Sequence, residues 1–301
     1  MKKFEIKKIL VPTDFSETAT AALNQAVFMA KAAKAHLEIL YVIEPEMNFS
    51  ANIPMPQSEN YYESLNENLL VKLKKIAEDI KNKNSIEVSY QTKYNGVYKN
   101  VCAVATDNDF DLIIMGTHGN SGVSEFFAGS NASKVIAHAE CPVITIQKSY
   151  DKNFKNIILP IRSDVESRQK VDYVYEIAKL FSSTVHITGF AKEGDDTDLT
   201  TVQQYVNQVD DYLTKLNILC TNTIISGSNF TKEIIEHATK NNADLIAVMN
   251  DTSFSFEHLI KGPYAKQLVN HSLIPILSVP ISVNSDSTYY SPYLSCTMPG
   301  D

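Results

Sequence analysis

The sequence predicts an α/β fold made of two tandem modules, each an open five-stranded parallel sheet of Rossmann-like type. Three observations support this: the length of 301 residues fits about two domains, the second half of the chain repeats the first, and short apolar runs alternate with amphipathic stretches. Strands that alternate with helices favour right-handed crossovers into a parallel sheet. We expect a first module at residues 1–149, a second at residues 150–281, and a C-terminal tail without apolar periodicity at residues 282–301.

The repeat is visible as two segments that align without a gap, one starting at Asp111 and the other at Asp244, an offset of 133 residues. The starts of the modules also match, Pro12 with Pro160, but with an offset of 148. The difference predicts about 15 extra residues in the first module, and we expect them in the Pro-, Asn- and Ser-rich stretch 44–60. A homodimer fused into one chain would leave such a pattern.

In the first module, short apolar runs predict buried strands, and apolar residues at helical spacing predict helices. The predicted strands are Ile6–Pro12, His36–Ile43, Ile86–Lys93, Asp111–Met115 and Val143–Ile146. The predicted helices run from a Ser16 or Thr18 cap to about Ala35, and then over Leu65–Ile80, Val97–Asn108 and Ala132–His138.

The second module repeats this order of elements. Its predicted elements are Asn156–Pro160, Val171–Phe181, Thr184–Thr188, Leu199–Leu216, Asn222–Ser226, Thr231–Asn241, Asp244–Val248, Tyr264–Asn270 and Ile274–Val279. We expect the last strands, Val143–Ile146 and Ile276–Val279, to pair across a pseudo-twofold axis, which would make the chain an intrachain pseudo-dimer.

The composition limits the classes of function. The net charge of −8 and the absence of a lysine-rich run argue against nucleic acid as a partner. Charged residues interrupt the apolar stretches at the start, and no window is long enough for a membrane span, so we expect a cytoplasmic protein without membrane contact. The four cysteines form no C-x-x-C pair, and we expect them to be reduced and mostly buried.

A spaced glycine motif follows the fourth predicted strand: Gly116, then Gly119, then Gly129–Ser130 at the start of a helix. Glycine lets an anion approach the backbone, and a helix start offers free N–H groups and the positive end of a dipole. Such a local field would let an acidic protein bind phosphate. A flexible loop with incidental glycines is the alternative, but open α/β sheets bind their ligands at the carboxyl ends of strands, where this motif begins.

A second group of candidates, Pro12, Thr13 and Asp14, follows the first predicted strand and should face the same crevice. A carboxylate here suits hydrogen bonds to a base or ribose better than to phosphate. Asp14 can also cap the following helix, and both roles are compatible. Val42, which ends the second strand, could line an adenine slot.

The segments VPTDFSETATAAL and MGTHGNSGVSEFFAGSNASKVIAHAECPVITI resemble the universal stress protein family, in its ATP-binding branch, and the resemblance extends over both modules. It implies adenine-nucleotide alpha-hydrolase-like modules that dimerise through the last strand and bind ATP, with or without Mg²⁺. Asp14 and the backbone around Val42 would contact adenosine, and the glycine motif would hold ribose and phosphates. The residues implied at the nucleotide are Pro12, Thr13, Asp14, Val42, Met115, Gly116, Thr117, His118, Gly119, Gly129, Ser130 and Asn131.

The second module departs from this motif at four positions that would touch a nucleotide. The replacements are Arg162 for Asp14, Met249 for Gly116, Thr252 for Gly119 and Pro263 for Ser130, while Gly262 is kept. A methionine blocks close backbone approach, and a proline removes an amide at the helix start. We predict that the second module binds no ATP in this manner.

These expectations describe an ATP-binding regulatory stress protein, not an enzyme, with one nucleotide per chain. Nucleotide occupancy would determine the conformation of the loop at Asn120–Ala128, and an unknown protein partner would recognise that conformation. Whole chains could form a homo-oligomer. One alternative is a slow ATP hydrolase, although the sequence shows no evident base, loop lysine or metal-binding carboxylate pair. Another is an apolar ligand in the second module, where Met249, Phe254 and Phe256 replace the glycine loop.

Other candidates have simpler structural interpretations. His118 could act as a general base, but a loop side chain beside the ligand is the plainer interpretation. Asp107, Asp109 and Asp111 are interpreted as a solvated turn, and His237, His258 and His271 lack a metal-ligand spacing. Tyr61, Tyr62 and the stretch Met47–Met55 could form a lid or a hydrophobic binding loop, but helix-packing aromatics are the plainer interpretation. The sequence contains no Walker motif, no G-x-G-x-x-G after the first strand and no G-x-S-x-G elbow.

Overall fold

The structure of the chain is a computed structural model, and it describes residues 4–44, 47–48, 53–54, 59–117, 129–148, 153–250 and 264–281. The chain divides into two compact units. The first module is the unit Ile6–Asp151, and the second module is the unit of Lys152–Asp301 together with Met1–Glu5.

The first module alternates strands and helices along the chain. Its strands are β1 (Lys8–Pro12), β2 (His36–Ile43), β3 (Met47–Asn48), β4 (Ile53–Pro54), β5 (Val88–Tyr94), β6 (Leu112–Gly116) and β7 (Val143–Ile146). Its helices are α1 (Glu17–Ala33), α2 (Glu59–Asn84), α3 (Val97–Asp107) and α4 (Ser130–His138). The short strands β3 and β4 pair with each other in antiparallel orientation.

The other five strands form a parallel sheet in the order β7-β6-β1-β2-β5. From β1 the chain builds outwards through β2 and β5, and it then returns to place β6 on the other side of β1. The strand order therefore reverses between β1 and β6, which makes this gap the topological switch point, where open α/β sheets place their ligands. The strands β6 and β7 are almost wholly buried, as expected for parallel strands covered on both faces.

Helix α1 shows why its sequence folds locally. The Ser16 side chain accepts a hydrogen bond from the N–H of Ala19 and caps the helix start, so of the two predicted caps it is Ser16, not Thr18, that occupies the capping position. The helix ends at Ala33, two residues before the predicted end, because Lys34 adopts the left-handed conformation with φ of 55° and ψ of 38°.

The second module repeats this architecture. Its strands are β8 (Asn156–Ile161), β9 (Thr184–Lys192), β10 (Leu219–Gly227), β11 (Leu245–Asn250) and β12 (Ile276–Pro280). Its helices are a 3-10 helix (Val165–Arg168), α5 (Val171–Phe181), α6 (Asp196–Lys215), α7 (Phe230–Lys240) and α8 (Tyr264–His271). The strand order within the module is β10-β9-β8-β11-β12, so the predicted fold of two five-stranded parallel modules is confirmed.

The register of the strands follows the sequence repeat. Lys8 lies opposite His36 in the first module, and Asn156 lies opposite Thr184 in the second, which is the offset of 148 on both strands. The extra residues of the first module fall mainly between the end of β2 and the start of α2, at residues 44–58, whereas only residues 193–195 separate β9 from α6. The insertion therefore lies in the Pro-rich stretch that the sequence predicts.

The interpretation of Asp111 as part of a solvated turn is wrong. Its carboxylate oxygen Oδ2 accepts hydrogen bonds from the backbone N–H groups of Lys7 and Lys8, both at 2.8 Å. The repeat-related Asp244 accepts from two backbone N–H groups at the start of β8, both at 2.9 Å, and is 4% exposed. In each module this carboxylate ties the start of one central strand to the start of its neighbour.

None of the helices in the described part of the chain is both long enough and apolar enough to cross a membrane.

Candidate functional site

The carboxyl ends of β1, β2 and β6 bring most of the predicted site residues of the first module to one edge of the sheet. Pro12 ends β1 opposite Leu40 of β2, and Val42 lies near the end of β2. Met115 and Gly116 end β6, on the other side of β1. The side chain of Met115 is only 5% exposed and belongs to the core, so its backbone is the part that faces the edge.

The turn after β1 is held by its own polar side chains. The N–H of Thr13 donates to the carbonyl of Leu40 at 2.8 Å, and the Thr13 hydroxyl accepts from the N–H of Phe15 at 3.1 Å. The Asp14 oxygen Oδ1 accepts from the N–H of Ser16 at 3.0 Å. Asp14 therefore shapes the turn just before the helix cap, and its half-buried carboxylate stands at the switch point.

Gly116 is required by the packing of α1. A Cβ atom at this position would lie 2.8 Å from the carbonyl carbon of Thr18 and 2.9 Å from the nitrogen of Ala19. These are backbone atoms of the first turn of α1, and they cannot move without moving the helix. The sequence motif predicts a close approach of an anion at Gly116; the close approach that the structure shows there is to a helix of the same module.

A hydrogen bond joins the two sides of the glycine motif. The N–H of Gly129 donates to the carbonyl of Thr117 at 2.6 Å, and the Thr117 side chain is buried. Helix α4 begins at Ser130, and its N-cap residue Gly129 has no side chain that could cap this end. Ser130 is exposed and Asn131 half-buried, so the first turn of α4 opens beside the end of β6. His118 and Gly119, also predicted for the site, lie outside the described residues.

Three site neighbours were not predicted from the sequence. The ring of Phe15 stacks on Tyr41 with 5.1 Å between centroids, and the Nζ atom of Lys72 lies 3.5 Å from the centre of the Phe15 ring. Burial raises the pKa of Tyr41, and the negative charge of Asp14 raises it further. The aromatic residue directly after Asp14 was a signal available in the sequence, but its partners follow only from the strand register and the position of α2.

In the second module, side chains of the module itself meet at the corresponding edge. Arg162, at the position of Asp14, pairs with Asp164 at 2.8 Å. Its guanidinium carbon lies 4.6 Å from the ring centre of Tyr264 and 5.8 Å from that of Phe230. Tyr264 stands at the position of Asn131, so the residues that replace the two ends of the predicted nucleotide site are in direct contact.

The helix after β8 also starts later than its counterpart. The offset of 148 would place its first residue at Val165, but residues Val165–Arg168 form a 3-10 helix and α5 begins at Val171. Lys170 is buried in this turn at the position of the core residue Ala22, and burial lowers its pKa to about 7. Asp164 opposes this shift, while Arg162 adds to it.

In the second module, a 3-10 helix stands in place of the first turn of α1, which in the first module leaves no space for a side chain at Gly116. Met249, at the equivalent position, is accommodated with 9% exposure at the end of β11. The other predicted departures, Thr252 and Pro263, lie outside the described residues, as do Phe254 and Phe256 of the alternative apolar site.

The remaining candidates form no second site in the described part of the chain. His237 contacts the side chain of Asn241 at 3.2 Å, and burial, with a smaller effect from Lys240, lowers its pKa. Tyr61 and Tyr62 make an edge-to-face contact on α2. Among the described residues, no group of three or more His, Cys, Asp or Glu side chains is placed to hold a metal ion. His258 lies outside these residues. Three cysteines are free thiols: Cys102, Cys141 and Cys220.

Comparisons with known proteins identify the family that this chain resembles. Residues 5–147 match the family model of the Universal stress protein family. A universal stress protein of Methanocaldococcus jannaschii is 33% identical over 149 residues, which cover 47% of this chain and 82% of that protein. A second one from the same organism is 31% identical over 155 residues, covering 47% and 95%.

A solved structure extends the likeness to both modules. The universal stress protein of Archaeoglobus fulgidus superposes with a TM-score of 0.74 over 93% of this chain and 98% of that one, at 18% identity. At this level of identity the likeness shows a common fold.

Proposed function

The chain belongs to the universal stress protein family, and from this premise we propose that it is a stress-response regulator that binds one adenine nucleotide, ATP, in its first module. The observation that carries the proposal is the convergence of the Asp14 turn, the end of β6 and the open first turn of α4 at a topological switch point. At the corresponding edge of the second module, side chains of that module fill the space.

The phosphates would bind at the start of α4. The N–H groups of the first turn of a helix have no partner within the helix, and the N-cap Gly129 has no side chain to offer them. The N–H groups of Ser130 and Asn131 and the Ser130 hydroxyl can donate to phosphate oxygens there. This arrangement supports anion binding in a chain of net charge −8, because the favourable field is local.

The adenosine would bind on the side of β1 and β2. A carboxylate repels phosphate, so Asp14 belongs at the base or ribose end, where hydroxyl and amino groups donate hydrogen bonds. The Asp14 oxygen Oδ1 already accepts from Ser16, which fixes the orientation of the carboxylate without exhausting its capacity as an acceptor. Val42 at the end of β2 supplies an apolar contact and backbone groups for the base.

The second module is proposed to have an architectural role. Its edge is closed by the Arg162–Asp164 ion pair and by the stacking of Arg162 on Tyr264. A nucleotide would have to separate these groups and would then meet a guanidinium where Asp14 stands in the first module. Packing of the second module against itself thus replaces the ligand.

The proposal is tested by releasing and identifying the ligand of the purified full chain by mass spectrometry, followed by calorimetric titration of the ligand-free chain with ATP. We expect one equivalent per chain. Asp14→Asn should weaken binding, whereas Asp164→Asn, at the corresponding edge of the second module, should not. Two equivalents, or no binding of any adenine nucleotide, would contradict the proposal.

Slow ATP hydrolysis within the bound state is the alternative function, and a turnover assay separates it from binding alone. Rates well above background that disappear in Gly116→Val and His118→Ala would favour an enzyme. Binding with background turnover would favour a regulator, with a partner that reads the bound state.

A further inference from the structure

The backbone is strained next to Asp14. Phe15 has a φ of 61°, in the left-handed region that L-amino acids with large side chains rarely adopt. Other residues with positive φ, such as Lys34 and Ser182, end helices, where this conformation is common. Phe15 instead lies between a strand and the start of a helix, inside the proposed site. Strain at such a place is a reason to look for a functional constraint.

Three different elements hold Phe15 in this conformation. The Thr13 hydroxyl accepts a hydrogen bond from its N–H, the Tyr41 ring of β2 stacks on its ring at an interplanar angle of 27°, and the Lys72 ammonium of α2 lies 3.5 Å from its ring centre. A cation over an aromatic ring is attracted by the negative charge on the ring face. The strained residue is thus fixed from the turn, the sheet and the helix.

Two of these residues are linked to Asp14. Phe15 follows Asp14 directly, and the Asp14 oxygen Oδ1 accepts from the N–H of Ser16 on the other side of Phe15. The charge of Asp14 contributes to the raised pKa of Tyr41, which places the two side chains within electrostatic reach. A rotation of Phe15 would therefore turn the peptide that carries Asp14.

Comparison of the two modules shows which of these residues the module fold itself requires. Because β8 and β9 pair in the register of β1 and β2, Ser163 takes the position of Phe15 and Gly189 that of Tyr41. A Cβ atom at Gly189 would lie 2.7 Å from Val202, so an aromatic ring is excluded there. The module fold thus forms without the aromatic pair, and the pair occurs in the module that keeps the aspartate.

We propose that Phe15, Tyr41 and Lys72 are positioning residues of the nucleotide site, which hold the Asp14 carboxylate in one orientation towards the base and ribose. Lys72 extends this role to α2, so that the helix after the insertion takes part in the site. The proposal rests on the proposed nucleotide function and adds residues to it.

The first test uses Lys72, because it is exposed and its replacement does not threaten the fold. The affinity of the full chain for ATP is measured by calorimetry for Lys72→Met, Lys72→Arg and the matched control Lys75→Met, another exposed lysine of α2. We expect a two- to five-fold weaker affinity for Lys72→Met, in the usual range of such a contact, and near-normal affinity for Lys72→Arg, which keeps the cation. Unchanged affinity of Lys72→Met would overturn the role of Lys72.

The second test needs no nucleotide. The pKa of Tyr41 is measured by NMR with labelled tyrosine in the wild type, Asp14→Asn, Phe15→Leu and the double variant. Removal of the Asp14 charge should lower the pKa of Tyr41, and this decrease should shrink in the Phe15→Leu background, where the carboxylate is no longer held. An equal decrease in both backgrounds would refute the positioning role of Phe15. If the decrease depends on Phe15 as expected but the chain binds no nucleotide, the positioning role would stand and the proposed function would be contradicted.

Discussion

The carboxylates of Asp111 and Asp244 perform the same task in the two modules, although nothing in their sequence context distinguishes them from turn residues. Each accepts two backbone N–H groups from the start of the neighbouring central strand. Hydrogen bonds to a charged acceptor are stronger than average, and loss of the acceptor leaves the N–H groups without a partner. These residues therefore serve the fold, which explains why the repeat keeps them while the site residues diverge.

We predict that Asp244→Ala lowers the free energy of unfolding of the second module by about 2 to 3 kcal/mol. Asp111→Ala should cost the first module less, because Asp111 is more exposed and water can replace the lost acceptor. Urea denaturation monitored separately for each module measures both effects. Asp107→Ala, at an exposed position at the end of α3, is the control and should not destabilise. Equal losses for Asp107 and Asp244 would contradict the assignment.

At the residue scale, the sequence predicted where the site residues lie, but not which contacts require them there. The spacing of Gly116 and Gly129 indicated a place of close approach, and both residues lie at the predicted edge. The motif could not tell that the atoms nearest to Gly116 belong to α1, because that contact depends on how the helix packs over the strand. The partners of Phe15 were missed for the same reason: Tyr41 and Lys72 meet it only after β2 and α2 have folded around β1.

Among the elements, helix α4 provides the most direct test of anion binding. We predict that Ser130→Pro lowers the affinity for ATP about tenfold or more, because it removes an amide and a hydroxyl that would donate to phosphate. The helix itself should tolerate the change, since proline suits the first helical position and Gly129, with ψ of 154°, already has the conformation that precedes proline.

Calorimetry measures the affinity of Ser130→Pro, and thermal unfolding checks its stability. Ser133→Ala, one turn into the same helix, should leave the affinity unchanged. Loss of stability together with loss of binding would point to a folding defect, and normal binding by Ser130→Pro would rule out the start of α4 as the phosphate site.

The order of elements was largely predictable, because apolar runs and helical periodicity are local properties. His36–Ile43, Val143–Ile146 and Val171–Phe181 have the predicted ends. The late start of α5 at Val171 was predicted, but the 3-10 helix at Val165–Arg168 before it was not. A helical turn of four residues is too short for an apolar period to reveal it.

For the whole molecule, the proposed binding of one nucleotide per chain predicts that the two modules respond differently to ATP. A ligand that binds only the native first module stabilises it by about 2.7 kcal/mol at 100 times its dissociation constant. We predict slower hydrogen exchange in β1, β6 and the start of α4 with ATP present, and little change in β8 and β11. Exchange mass spectrometry measures this, with Ser130→Pro as the control that should show less protection at the same ATP concentration. Equal protection of β8 and β11 would argue for a second site.

The late start of α5 has a consequence for the history of the two halves. With the first turn of α1 in place, any side chain at the position of Gly116 would strike its backbone, so methionine is compatible with this position only if that turn changes, and in the second module a 3-10 helix stands there. A return of Met249 to glycine would leave a gap instead of rebuilding the turn, and restoring the turn first would collide with the methionine. Because the two changes are strongly non-additive, neither reversal is favourable alone. We therefore expect that no single substitution restores the geometry of the first module in the second.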